Sequence, residues 1–233
     1  MKLMDILGII PARGGSKSLR KKNIRKLAGK PLIYYTIKEA KKSKFITKLV
    51  VSTENLEISK IVKKYGVQVI PRPKNLAKDN TPSLVVFRQV INYLHSNSDF
   101  NPDVIVVLQP TSPLRKVIDI DYSIKKFLKN KPKTIVSISK FEHPPSWIFK
   151  IVNGKLKPII KSPKILRRQE SPILYSPNGA IYVFNSSSIM KKDFEYGAND
   201  LPYIMPIERS IDIDSELDFK LAELLFKRKK SSK

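Results

Sequence analysis

The run Val104-Ile105-Val106-Val107-Leu108 constrains the fold of this chain more than any other stretch. It offers no alternation of apolar and polar residues, so neither face of such a strand suits water. A continuous run of this kind belongs in a parallel sheet covered by helices on both sides. Asp5 to Ile10, Leu49-Val50-Val51, Val67-Gln68-Val69-Ile70, Thr134-Ile135-Val136-Ser137-Ile138 and Ala180-Ile181-Tyr182-Val183-Phe184 read as further strands. Between them apolar residues recur at helical spacing: Leu32, Ile33, Ile37 and Ala40; Ile58, Ile61, Val62 and Tyr65; Leu84, Phe87, Val90, Ile91 and Leu94; Ile120, Ile124, Phe127 and Leu128. Strands alternating with helices predict an α/β class with a doubly wound, mostly parallel sheet. Local signals agree. Pro31 fits the first turn of a helix, Gly66 a C-cap, and Thr81 an N-cap before Pro82. Ser215 or Asp214 caps a final amphipathic helix carrying Leu217, Leu221, Leu224 and Leu225.

The rhythm breaks after Ser139. Trp147 to Ile151, Asn153-Gly154 and Lys155-Leu156 read as a hairpin with a primed turn. The stretch on to Pro172 is basic and proline-rich. Residues 1–233 are therefore expected to form a single domain, with residues 140–175 as an inserted arm, in which Trp147 is available for a subunit interface.

At 41% hydrophobic residues the chain can build a core, and without cysteine it has neither disulfides nor thiolate chemistry. No apolar run approaches the ~20 residues of a membrane span, and Asp5 and Gly8 interrupt any signal-peptide pattern. A cytoplasmic protein without membrane insertion is expected. The formal net charge of +25 raises a reading from another class, a basic nucleic-acid-binding protein. Lysine far outnumbers arginine, however, and is spread over the predicted helix faces. Basic-aromatic interleaving, zinc-ligand spacing and basic heptads are all missing from the sequence. A solvated lysine surface with no nucleic-acid partner accounts for the charge.

Two stretches carry chemistry. The first strand runs into Pro11-Ala12-Arg13-Gly14-Gly15-Ser16-Lys17, then Lys22-Asn23. Adjacent glycines free the backbone, and successive amides in such a loop can form an anion-binding concavity at the carboxyl end of a strand. Arg13, Lys17 and Lys22 add positive charge, so the loop suits a nucleoside triphosphate, although it is not a Walker A sequence. The second stretch, Ile211-Asp212-Ile213-Asp214, puts both carboxylates on one side at strand period. Two like charges this close call for a cation, and magnesium shared with substrate phosphates is its natural form. His95 and His143 read as surface or structural residues.

These motifs, with Leu108-Gln109-Pro110-Thr111-Ser112-Pro113-Leu114-Arg115 and Pro177-Asn178-Gly179-Ala180-Ile181-Tyr182, resemble the acylneuraminate cytidylyltransferases, in order and over nearly the whole chain. The resemblance implies a Rossmann-like fold of the nucleotide-diphospho-sugar transferase type with a dimerisation arm, and hence a homodimer. It implies that CTP and a nine-carbon 2-keto sugar acid give a CMP-sugar and pyrophosphate. Arg13, Lys22 and Asp214 would be catalytic. Ala12, Arg13, Gly14, Ser16, Lys22 and Asn23 would hold the nucleotide, with Arg72 and Ser83 near the cytosine. Gln109, Arg168, Asn178 and Tyr182 would face the sugar acid, and Asp212 and Asp214 would hold Mg2+. There are two departures from the family pattern: Ser18-Leu19-Arg20 is expected to make the loop stiffer at Ser18, freer at Arg20 and more basic, and Ser176 before Pro177 leaves the sugar open among N-acetylneuraminate, legionaminate and pseudaminate. A cytidylyltransferase for the eight-carbon acid KDO is the alternative within the class.

Overall fold

The structure is a computed structural model that describes residues 4–15, 18–141, 145–160, 169, 172–197 and 199–231. Its main sheet comprises β1 (Ile6–Pro11), β4 (Lys48–Thr53), β5 (Gln68–Pro71), β6 (Val104–Leu108), β7 (Thr134–Phe141), β10 (Leu174–Asn185) and β11 (Leu201–Ile204). Two short hairpins lie outside it: β2 (Lys26–Leu27) with β3 (Lys30–Pro31), and β8 (Phe149–Val152) with β9 (Lys155–Pro158). The strand order is β11-β7-β10-β6-β1-β4-β5, and only β10 pairs antiparallel with its neighbours.

The unbroken apolar runs are used as their composition requires. Residues at even and odd positions of β1 and β6 point into different helical layers. Ile6, Ile10 and Val106 pack with Ile33 and Ile37 of α1 (Leu32–Ala40), Ile58 and Val62 of α2 (Leu56–Lys64), and Ile120 and Ile124 of α4 (Val117–Asn130). Leu7, Ile9, Ile105 and Val107 pack with Phe87, Val90 and Leu94 of α3 (Ser83–Ser98) and with Ile189 of α5 (Ser186–Ile189). Each such side chain, fully buried, contributes roughly 1.5–3 kcal/mol. A third cluster joins Phe219 and Ala222 of α6 (Glu216–Ser231) to Leu19, Leu27 and Ile213. It seats the last helix against the loop that follows β1.

From β1 the chain steps through β4 to β5 on one side, then returns to β6 on the other. The β1–β6 boundary is thus a topological switch point, where loops leaving the carboxyl ends of two adjacent strands diverge and open a crevice. Residues 12–23 and 109–115 are those loops.

Several local signals are realised. Gly66, at φ +64°, closes α2, and the primed turn of the small hairpin has Asn153 at φ +51° and Gly154 at φ +72°. Ser215 caps α6: its Oγ accepts from Asp218 N at 3.2 Å, and the Asp218 carboxylate accepts from Ser215 N at 2.7 Å. Others differ. Thr81 does not cap α3; its hydroxyl donates to the Asn75 carbonyl, and α3 begins at Ser83 after Pro82. Pro31 precedes α1 instead of sitting in its first turn. Ile211 to Asp214 form no strand, because the segment is held by one backbone bond, Ile213 N to Thr111 O at 2.9 Å, and not by a ladder. The β7–β10 ladder runs past Ser139 to pair Phe141 with Leu174. The sheet therefore extends into the base of the stretch read as an arm.

One buried polar group fixes the approach to that acidic segment. Asp119, fully buried at the start of α4, accepts from Arg209 Nε at 2.9 Å and Nη2 at 2.8 Å, from Tyr203 Oη at 3.3 Å and from Lys116 N at 3.0 Å. Burial, reinforced by the Asp119 charge, raises the Tyr203 phenol well above its ordinary pKa. Removing one partner of a buried pair strands the other. Asp119→Ala is expected to lower unfolding free energy by ~3 kcal/mol, as read by urea denaturation; a loss within ~0.5 kcal/mol, the range of ordinary surface changes, would contradict this reading.

Candidate active site

At the end of β1 the chain leaves the strand, and several described residues of the loop are anchored separately. Ala12 is buried and donates its N–H to the Ser52 carbonyl at 2.9 Å, extending the contact with β4 by one residue. Its amide is therefore turned toward the sheet. Gly14 N donates to Glu54 Oε1 at 2.6 Å. A Cβ on Gly14 would lie 2.5 Å from Asn55 Nδ2 and 2.8 Å from Asn55 Cβ, so glycine is required for the loop to pass the cap of α2. Asn55 is that cap, with Oδ1 accepting from Glu57 N and Ile58 N. Among the described residues, its chain neighbours apart, Gly15 has no atom within 4 Å of the corresponding position. Asn23 Nδ2 donates to the Arg13 carbonyl at 2.9 Å and folds the loop back on itself.

This folding brings the two chemical stretches of the sequence together. Lys22 Nζ donates to the Ile213 carbonyl and to Asp214 Oδ1, both at 2.9 Å. Arg13, Ser18, Lys22, Asn23, Gln109, Thr111, Asp212 and Asp214 line one cleft of about 430 Å³. Arg13 also borders an adjoining pocket of about 250 Å³, lined by Arg72, Leu76, Lys78, Ser83 and Phe87. Asp79 stands at the junction, its carboxylate 2.5 Å from Arg13 Nη1. A long anionic ligand with a flat head fits two joined compartments: cations and acids in one, a guanidinium, a hydroxyl and an aromatic ring in the other.

The electrostatics are uneven. Burial, reinforced by the nearby Asp214 charge, holds the Asp212 carboxyl above its ordinary pKa, against a Thr111 hydrogen bond and Lys22 that favour the anion. Asp212 Oδ1 is buried and has no hydrogen-bond partner among the described residues. A buried acceptor left over beside a second carboxylate is what a hard cation satisfies. Among the described residues there is no group of three or more acids, histidines or cysteines that could hold a metal alone. The donor set therefore fits an ion that takes its remaining ligands from phosphates and water.

The remaining residues divide. Arg72 is buried, donates to Ser52 Oγ at 3.2 Å and to the Ser52 carbonyl at 3.0 Å, and has its pKa lowered by burial. Gln109 reaches over Gly179: a Cβ there would meet Gln109 Oε1 at 3.2 Å and Asp212 Oδ2 at 3.0 Å, and φ is +71°. Asn178 is buried, its amide spent on structure. Oδ1 accepts from Ser137 Oγ at 2.6 Å and Ala180 N at 3.1 Å, while Nδ2 donates to Ser210 Oγ at 2.9 Å. Tyr182 stacks on Phe184 and meets Tyr196 edge-on, and burial pushes its phenol up to about 12. Ser16, Lys17, His143 and Arg168 lie outside the described residues. His95 pairs with Asn101 in a separate cleft of about 750 Å³ at the opposite end of the sheet, away from these charges. The sequence alone assigns no role to Asp79, Glu54 or Thr111. Only Thr111, inside a quoted motif, carried a signal that could have drawn attention to it.

The fold is that of a doubly wound α/β protein, and its cleft lies where such sheets bind ligands. The chain belongs to the cytidylyltransferase family, whose model matches residues 7–215. It is 38% identical over 229 residues to the CMP-N,N'-diacetyllegionaminic acid synthase of Legionella pneumophila, covering 95% of this chain and 96% of that protein. It is 32% identical over 229 residues to the N-acylneuraminate cytidylyltransferase of Escherichia coli O18:K1:H7; the match covers 98% of this chain but 54% of that protein, so the chain spans about half its length. Among solved structures, a CMP:2-keto-3-deoxy-manno-octonic acid synthetase complexed with CTP matches with a TM-score of 0.71 at 15% identity, over 97% of this chain and 99% of that one. That likeness is one of fold. No described helix is long and apolar enough to cross a membrane.

The loop geometry separates the two glycines. Gly14→Ala is expected to displace Asn55 and cost ~1–3 kcal/mol, whereas Gly15→Ala is expected to leave stability unchanged. Thermal unfolding of both variants measures the contrast, and equal losses would contradict it.

Proposed function

We propose that this chain transfers the cytidylyl group of CTP to a nine-carbon 2-keto sugar acid and releases pyrophosphate. The observation that carries the reading is the convergence of Arg13, Lys22, Asp212 and Asp214 on one cleft that continues into a pocket holding Arg72 and Ser83. In the reaction the anomeric oxygen of the sugar bonds to the α-phosphorus as the α–β phosphoanhydride bond breaks. Such a transfer depends on positioning and on neutralising charge. Arg13 and Lys22 supply positive charge to the triphosphate, with Asn23 on the ribose and Arg72 and Ser83 at the base. A triphosphate competes with Asp79 for Arg13. Gln109 and Tyr182 face the sugar from the β6–β10 side, and Asn178 serves that side by holding its loops.

Asp212 and Asp214 would hold Mg2+, which when bound offsets the charge developing on phosphate oxygens. Lys22 offsets part of the repulsion between the two acids but leaves one buried oxygen of Asp212 without a partner among the described residues. The sequence relatives favour a nine-carbon acid over KDO, for which the likeness is one of fold alone. The exposed apolar residues Phe149, Ile151, Leu156, Ile159 and Ile160 on and beside the small hairpin support a homodimer built through the arm.

The test is pyrophosphate release with CTP and Mg2+ across N-acetylneuraminate, legionaminate, pseudaminate and KDO. Turnover is expected with a nine-carbon acid. Asp212→Asn is expected to reduce it about 100-fold or more, while raising the melting temperature of metal-free protein by removing a buried charge. Turnover with none of the nine-carbon acids, or an Asp212→Asn variant of near-normal activity, would overturn the reading.

A further inference from the structure

Arg115 closes the motif that begins at Leu108, and nothing in the proposed reaction uses it. Its side chain is 1% exposed. Burial draws its guanidinium down to about 10, so it remains charged at neutral pH. A buried cation of this size needs oxygen partners, and those it has are uncharged and come from three separate segments. Nη1 donates to the Ala180 carbonyl at 2.6 Å and to the Gln109 carbonyl at 3.1 Å, and Nη2 donates to Thr36 Oγ1 at 2.7 Å. Thr36 Oγ1 in turn donates to the Gln109 carbonyl at 3.4 Å.

The position of these carbonyls gives the contact its meaning. The antiparallel β6–β10 ladder ends at the pair Leu108 and Ile181. Gln109 and Ala180 are the next residues on each side, where β6 ends and β10 passes through the register shift between Pro177 and Tyr182. The fork of Arg115 replaces the ladder at its open end. One residue further out, Gly179 lies beneath Gln109 Oε1 and Asp212 Oδ2. Thr111, two residues past Gln109, accepts from the Ile213 amide through its carbonyl at 2.9 Å and donates its hydroxyl to Gln109 Oε1 at 3.5 Å.

We propose that Arg115 is a positioning residue for the sugar-acid and acidic side of the cleft. It clamps the carboxyl end of β6 to the irregular middle of β10, so that Gln109 and Asp212 keep their places over Gly179. A planar five-donor group can bridge two carbonyls and a hydroxyl at once, and an ammonium cannot hold the same fork. The proposal rests on the cytidylyltransferase reading for its kinetic part alone.

Arg115→Lys, which keeps the charge, and Arg115→Met, which keeps the volume, test it. In Arg115→Lys, amide hydrogen exchange is expected to rise at least 10-fold at Ser112 and Ala180–Ile181 while amides of β1 and β4 keep their protection. With wild-type turnover established, kcat is expected to fall about 30-fold or more, because Gln109 and Asp212 line the cleft in which the transfer takes place. Arg115→Met is expected to show the same local exchange if it folds. Exchange that rises uniformly over the sheet, or kcat unchanged beside a lowered melting temperature, would reduce Arg115 to a general structural role and overturn the proposal. Wild-type protein that fails to turn over CTP contradicts the enzyme reading; the exchange comparison still decides the clamp.

Discussion

A single ammonium joins the beginning of this molecule to its end. Lys22 Nζ is bonded to the carbonyl of buried Ile213 and to the carboxylate of Asp214, 191 and 192 residues later in the chain. Those bonds exist because β6 lies beside β1, so that the loops leaving both strands share one crevice. The Ile213 side chain sits in the cluster under α6, its amide is held by the β6 loop, and its carbonyl is held by Lys22. With Ile213 fixed at three points, the flanking aspartates have no choice but to line the cleft.

That arrangement is locally unfavourable. Asp212 sits mostly buried beside another acid, with one oxygen unsatisfied among the described residues, and burial holds its carboxyl above the ordinary pKa. The surrounding sheet, where the side chains of β6 are fully buried, supplies the stability that tolerates it. Conflict of this kind between local energetics and global fold is expected where a protein binds something. The Gly14 amide and Arg13 show the complementary case. Glu54 and Asp79 occupy them with carboxylates, so the anion-seeking groups of the first loop are already matched to negative charge.

Much of this was legible in the sequence. β6 was evident because five consecutive apolar residues can satisfy only a strand covered on both faces. The glycine loop and the acid pair were evident because residue type and spacing limit what they can do. The alternation of isoleucine and aspartate was misleading as a strand signal: period two also arises in an extended segment pinned residue by residue. β11 escaped notice because Leu201-Pro202-Tyr203-Ile204 is short and contains a proline, and it is only half covered. No pattern marked Asp119 or Arg115 as buried, although Arg115 closes a motif. Each is a charged residue in loop-like or helix-start context, where exposure is the rule, and each is buried only because remote segments bring partners to it.

The central claim is that the first crossover loop and the 212–214 acids form one site for the tail of a nucleotide. Diffraction from crystals grown with CTP and Mn2+, measured at the manganese edge, tests it most directly. The account expects an anomalous peak within coordination distance of Asp212, with the triphosphate between it and the side chains of Arg13 and Lys22. A triphosphate bound elsewhere on the molecule, or a metal peak remote from both acids, would contradict it.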